Sequence, residues 1–176
     1  FYKNINSKLY SIQDKLLVMN DYDNLRFLRI IKEDFKKTKV DHIANIPKLA
    51  KKDQVFSQSD VGIHNCLLRA EKIFFMDFEH SGWDDPSKQL CDWVLRPDSG
   101  LNEVDSINLI NFFINKWGDV NLRERLIFMM PLINIKWILI RLNIGLRNNK
   151  SFLDINLNDK IYLKGIKRTN IIIENL

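Results

Sequence analysis

Two short apolar runs, Cys66-Leu67-Leu68 and the stretch KIFFM from Lys72 to Met76, are separated only by Arg69-Ala70-Glu71. Runs this short and this rich in aromatic and branched residues do not carry the 3.6-residue spacing of a helix face. They predict a β-hairpin turning at Arg69-Ala70-Glu71, with KIFFM as its buried strand. The consequence lies at the hairpin's open end. The second strand runs into Asp77-Phe78-Glu79, and the first begins just after Asn65, so an amide and a carboxylate are returned to the same place. Asp60 stands just before the hairpin, on a loop that Gly62 makes bendable.

That trio suits one chemistry. Magnesium is commonly held by one or two carboxylates, with phosphate oxygens and water completing its shell. Phosphoryl transfer adds a carboxylate that orients an attacking hydroxyl and accepts its proton. Any one Asp, Asn or Gly here is more simply read as a turn former, since all three favour turns for local hydrogen-bonding reasons. The specific signal is the order: base loop, hairpin, Asp-Phe-Glu, then Gly82-Trp83-Asp84-Asp85-Pro86.

With those residues in place, the stretch SDVGIHN followed by FMDFEHSGWDDPSKQLCDWVLRP resembles the aminoglycoside phosphotransferase and choline kinase superfamily. These proteins have the protein-kinase-like fold, and the similarity is to a bacterial branch with an SDxGxHN catalytic loop. The later PLINIKWILIRLN is similar to the same branch. The resemblance implies that Asp60 is the catalytic base and that Asn65 and Asp77 hold Mg²⁺, with ATP as the phosphoryl donor. It also implies that Asp92 braces the following helix against the catalytic loop. The sequence departs from the family where a histidine usually stands two residues before the base, here Gln58. That histidine braces the loop, so the departure bears on loop geometry more than on chemistry. Glu79 is expected to orient the metal loop or reach the metal through water. Glu79, Trp83, Asp84 and Asp85 are substrate-side candidates, against the plainer reading of 82–86 as a structured turn.

The kinase-like fold also uses an N-terminal lobe with a glycine-rich phosphate loop and a strand lysine. The six glycines of this chain all stand alone, and it opens on Phe1 inside a helical pattern. The resemblance therefore covers the C-terminal lobe, and the nucleotide-binding lobe is expected upstream, so that this chain alone would be inactive. The expected architecture is mostly α-helical, one domain over residues 1–176. The catalytic and metal loops occupy 57–92, and a helical subdomain occupies 102–176.

Helical spacing is read from Ile5 to Met19 and again through Leu25, Leu28, Ile31 and Phe35, with Asp21 or Asp23 as a cap. Val40 to Lys52 reads as a connector with a helical turn. His42 there lacks a partner at metal-ligand spacing. His64 is given a structural hydrogen-bonding role on the far side of the Asp60 loop. Pro86 starts a helix through Leu95, closed by Arg96-Pro97-Asp98-Ser99-Gly100. Further helices follow over 103–117, stopped by Gly118, over 122–146 with a break or kink near Pro131, and over 158–176. In the last of these, Lys160, Lys164, Lys167 and Arg168 are expected to face solvent.

Composition excludes some classes. At 45% hydrophobic and 28% charged, the chain is neither disordered nor low in complexity. Two cysteines without CxxC spacing fit a reducing cytoplasm. No signal peptide is expected, and the apolar stretch Leu126–Ile140, interrupted by Pro131 and Lys136, reads as too short to span a bilayer. The charge of +5 is scattered rather than striped, which speaks for a solvated face and against a nucleic-acid binder. The leading expectation is an ATP-dependent kinase of a small-molecule hydroxyl. The competing one is a kinase-like binding or scaffold protein without turnover. The lysine-rich C-terminal helices tilt the acceptor away from polycationic aminoglycosides, toward a sugar, amino alcohol or other hydroxylated metabolite.

Overall fold

The computed structural model describes residues 1–60, 62–97, 99–147 and 153–176. Among these, six helices and two small antiparallel sheets form a mostly α-helical structure. Helix α1 (Tyr2–Val18) buries Ile5, Leu9, Ile12 and Leu16, the i, i+4, i+7 stripe of its sequence. Asp21 caps helix α2 (Tyr22–Asn45) by accepting from the Asn24 amide at 3.1 Å. Leu25, Leu28, Ile31 and Phe35 are buried along α2 as expected.

The connector expected from Val40 begins later, because α2 continues to Asn45. What stops it is Pro47. The residue before a proline is pushed out of the helical region, and Ile46 is extended at ψ 129°.

Asp85 caps helix α3 (Pro86–Leu95), Asn102 caps α4 (Glu103–Trp117), and Gly118 closes α4 in the left-handed region at φ 63°. Helix α5 (Leu122–Arg147) passes through Pro131 as one continuous element, and Asp154 caps α6 (Ile155–Glu174). Asp98, in the stop expected after α3, and Val61, in the loop motif, lie outside the described residues.

Helix α5 is the element on which the others pack. One side, with Leu132, Ile135, Ile138, Leu139 and Leu142, joins the buried faces of α1 and α2 and Tyr162 of α6. The other, with Leu122, Leu126, Met129, Met130 and Ile133, joins Leu90, Cys91 and Val94 of α3, Ile110 of α4 and Ile172 of α6. Burying each such side chain is worth about 1.5–3 kcal/mol, so α5 carries the largest share of core stabilisation. At 26 residues it is longer than the apolar stretch read from sequence, and long and apolar enough to cross a membrane by length and composition. Half of its apolar window is nevertheless buried inside the fold, where it also carries the buried Arg125 and Asn134.

The strands are short. β1 (Val55–Ser57) pairs with β4 (Gly82–Asp84), with Phe56 opposite Trp83. The Gly82–Pro86 stretch, expected to be a turn, is thus a strand through Asp84; a cross-strand aromatic pair holds it. β2 (Cys66–Arg69) and β3 (Lys72–Phe75) form the expected hairpin, closed by Ala70-Glu71 alone. Its burial differs from expectation. Ile73 is 63% exposed, Phe74 and Phe75 each 49%, and Leu68 72%. The strand is apolar without being buried, because hydropathy records what a segment would rather contact and not what this chain supplies.

Candidate functional site

The hairpin does what its spacing required. Cys66 is paired with Phe75, so Asn65 and Met76 face each other just beyond the ladder, and the Met76 amide donates to the Asn65 carbonyl at 2.8 Å. Asp77 follows at once. Asn65 and Asp77 therefore leave the same end of one hairpin. The Asn65 side chain is buried, and its Nδ2 donates to the Asp60 carbonyl at 2.8 Å. One amide thus ties the Asp60 loop to the hairpin, with its own Oδ1 left over. Gln58, also buried, adds a second tie: its Nε2 donates to the Met76 carbonyl, the residue before Asp77. At this position an amide does the bracing that the sequence had left open.

Two backbone distortions flank the cluster. Ser59 and Asp77 both have positive φ, 68° and 60°, in a region disfavoured for side-chain-bearing residues. Such conformations cost on the order of 1–3 kcal/mol and concentrate at functional sites. Here each precedes or contains a carboxylate of the cluster. The Asp77 side chain makes no hydrogen bond or ion pair among the described residues and is solvent-exposed.

Asp60 is about half exposed and is not alone. Arg96 Nη1 donates to its Oδ1 at 2.9 Å, and His64 Nε2 lies 3.5 Å from Oδ2. Partial burial opposes the charged carboxylate, but the hydrogen bond and charge of Arg96, aided by His64, outweigh it and hold the group below its usual range. His64, expected on the far side of the loop, instead faces the carboxylate. Gly62 owes its place to crowding: a Cβ there would collide with the His64 ring and approach Arg96 Nη1 at 2.9 Å. Sequence reading missed Arg96, which stands on the far end of α3 with no local signal linking it to Asp60.

The remaining candidates separate from this cluster. Glu79 and His80 pair only with each other among the described residues, at 3.4 Å and largely exposed. Trp83 is 70% exposed and meets Phe56 edge-on, while Phe56 stacks on Phe78. Asp84 pairs with Lys88 and accepts from the Asp85 amide at 2.9 Å. Asp85 is spoken for structurally. It caps α3 through the Ser87 amide at 2.8 Å and receives Arg125 Nε at 3.1 Å, with Asp119 on the other side of the same guanidinium.

Asp92 does not reach the catalytic loop. Its carboxylate pairs with Lys136 of α5 at 2.6 Å, and burial, working against that cation, pushes it above the usual carboxylate range. The second carboxylate oxygen has no partner among the described residues.

No set of three or more His, Cys, Asp or Glu side chains converges as a metal-binding group among the described residues. A site of one carboxylate and one amide oxygen suits a cation that takes the rest of its shell from phosphate and water. Asn65 Oδ1 and the unpaired Asp77 carboxylate fit that description. Compared with protein-family models, curated proteins and solved structures, the chain matches none.

Proposed function

We propose that this chain is the C-terminal lobe of a protein-kinase-like phosphotransferase that phosphorylates a hydroxyl of a small molecule from ATP. The observation that carries the reading is the Asn65 amide. It stands at the open end of the hairpin beside Asp77 and fastens the Asp60 loop through a 2.8 Å hydrogen bond.

In this reading Asn65 and Asp77 hold Mg²⁺, which when bound neutralises phosphate charge. Asp60 orients the acceptor hydroxyl and takes its proton. A carboxylate held below its usual range is a weak base, and this reaction tolerates one. Where bond breaking to the leaving group runs ahead, the proton moves late, and placing the hydroxyl in line accounts for most of the rate. Arg96 and His64 fix the direction of the carboxylate, and Gln58 fixes the backbone ahead of Asp77.

A second reading, a kinase-like scaffold without turnover, is favoured by the same Arg96 contact, since an acceptor must compete with that guanidinium for Asp60. The metal site is tested with Mn²⁺ and ATP on the full-length protein. Paramagnetic broadening centred on the amides of residues 65, 76 and 77, and lost in Asp77→Ala, supports the site. Broadening centred elsewhere, or unchanged in that variant, removes it.

A further inference from the structure

A cleft of about 220 Å³ is lined by residues of α5 and α6 and by Leu95 and Pro97 at the end of α3. That is below the roughly 300–1,000 Å³ of pockets for drug-sized ligands, so its occupant is small. Its lining combines apolar Leu95, Ile138 and Ile161 with cationic Arg141, Lys164 and Arg168. None of its described lining residues is acidic.

One side chain in its walls is left without a hydrogen bond among the described residues while keeping its polar atoms accessible. Asn134 is only 8% exposed, lines the cleft, and has no partner for its carboxamide. The Nε of Arg168 and the indole Nε1 of Trp137 are also unpaired, but both lie beneath the cleft surface. A carboxamide without a protein partner on a cleft wall has both a donor and an acceptor to offer a ligand. The room for Asn134 is itself built in, because it lies against Gly165, where any Cβ would collide with its Oδ1.

We propose that the α5–α6 cleft binds a sugar-sized molecule carrying a carboxylate or phosphate, its charge answered by Lys164 and Arg168 and a neighbouring hydroxyl by Asn134. Arg168 is suited to this by its fixing: Nη2 is anchored to the Leu101 carbonyl at 2.5 Å and to Ser106 Oγ at 2.7 Å, which holds its charge in place at the cleft wall. Burial lowers the affinity of this arginine for its proton, and the opposing pull of Glu103 does not restore it. An anion in the cleft relieves that cost. The other carboxylates nearby are engaged elsewhere or outside the lining: Asp34 accepts from Tyr162 at 2.9 Å, and Asp154 caps α6. The cleft's chemistry does not depend on turnover at Asp60.

The test is an NMR titration of the protein with glucuronate, glucose 6-phosphate and neutral glucose, read at the Trp137 indole against those of Trp83, Trp93 and Trp117. The expected result is saturable movement of Trp137 with one or both anions and none with glucose; the two anions distinguish carboxylate from phosphate. Lys164 is exposed, so Lys164→Gln leaves the fold intact. It should weaken binding about tenfold, the value of one charge-assisted contact, while Lys160→Gln on the same helix should not. Equal binding of glucose, no saturable shift with either anion, or an equal loss in Lys160→Gln overturns the proposal.

Discussion

At the scale of single residues, the site is decided by which charges face which carboxylate. Asp60 is held below its ordinary range by Arg96 despite partial burial. Arg96→Gln should therefore raise the Asp60 pKa. A carboxyl ¹³C titration reads this directly, and an unchanged value would mean that Arg96 is not the restraining charge. Asp92 is the opposite case. Its pKa is raised in the folded state, so the unfolded chain gives up this proton at lower pH than the native one. Its contribution is most favourable below the unfolded value and is lost as pH rises through the folded one. Asp92→Asn should thus gain stability relative to the parent as pH rises from about 4 toward neutrality. Urea midpoints across that range check it, and a difference that stays flat or shrinks would contradict it. Single residues were also the least legible from sequence. That Asn65 and Asp77 leave the same end of one hairpin could be read from order and spacing. Arg96 and Lys136 could not, because their pairing with Asp60 and Asp92 is made by tertiary packing.

At the scale of elements, local chemistry explains what could be read and what could not. Pro86 after a capping Asp85, Asn102 before Glu103, and Gly118 after Trp117 are backbone signals that act within one turn, and they set the ends of α3 and α4 where expected. The end of α2 and the strand at Gly82–Asp84 were misread: α2 runs on until Pro47, and the strand needs Phe56 as a distant partner. The hairpin turn is a different matter. Ala70 and Glu71 both adopt positive φ, 47° and 60°, as a two-residue turn of this hand requires, without glycine or asparagine to ease it. Glu71→Gly should stabilise the protein by about 1 kcal/mol, the cost of one left-handed non-glycine residue. Urea unfolding checks it, and a destabilised variant would mean that Glu71 makes a contact outweighing the strain. The Arg125 cluster predicts the reverse. Arg125→Met strips Asp85 and Asp119 of their buried partner and should cost about 3–5 kcal/mol. Adding Asp119→Asn should recover part of that loss. No recovery would mean that the cost lies in packing around α5 and not in the orphaned charge.

At the scale of the whole molecule, helices gather on α5 into two apolar clusters, and the apolar hairpin stands beside them uncovered. A mostly α-helical class followed from periodicity, which core packing enforces along α1, α2 and α5. The exposure of the hairpin did not follow, since periodicity cannot say whether a second surface is present to cover an apolar strand. The proposed phosphotransferase site lies at the open end of that hairpin, and its central claim is that Asp60 orients and deprotonates a hydroxyl. The most direct measurement is transfer of the labelled γ-phosphoryl group of ATP by the full-length protein to sugars, choline, ethanolamine and aminoglycosides, with Asp60→Asn in parallel. The account predicts transfer to at least one hydroxylated acceptor and its loss by several orders of magnitude in Asp60→Asn, with Mg²⁺-dependent nucleotide binding retained. Transfer that survives the substitution, or nucleotide binding with no transfer to any acceptor, would contradict it.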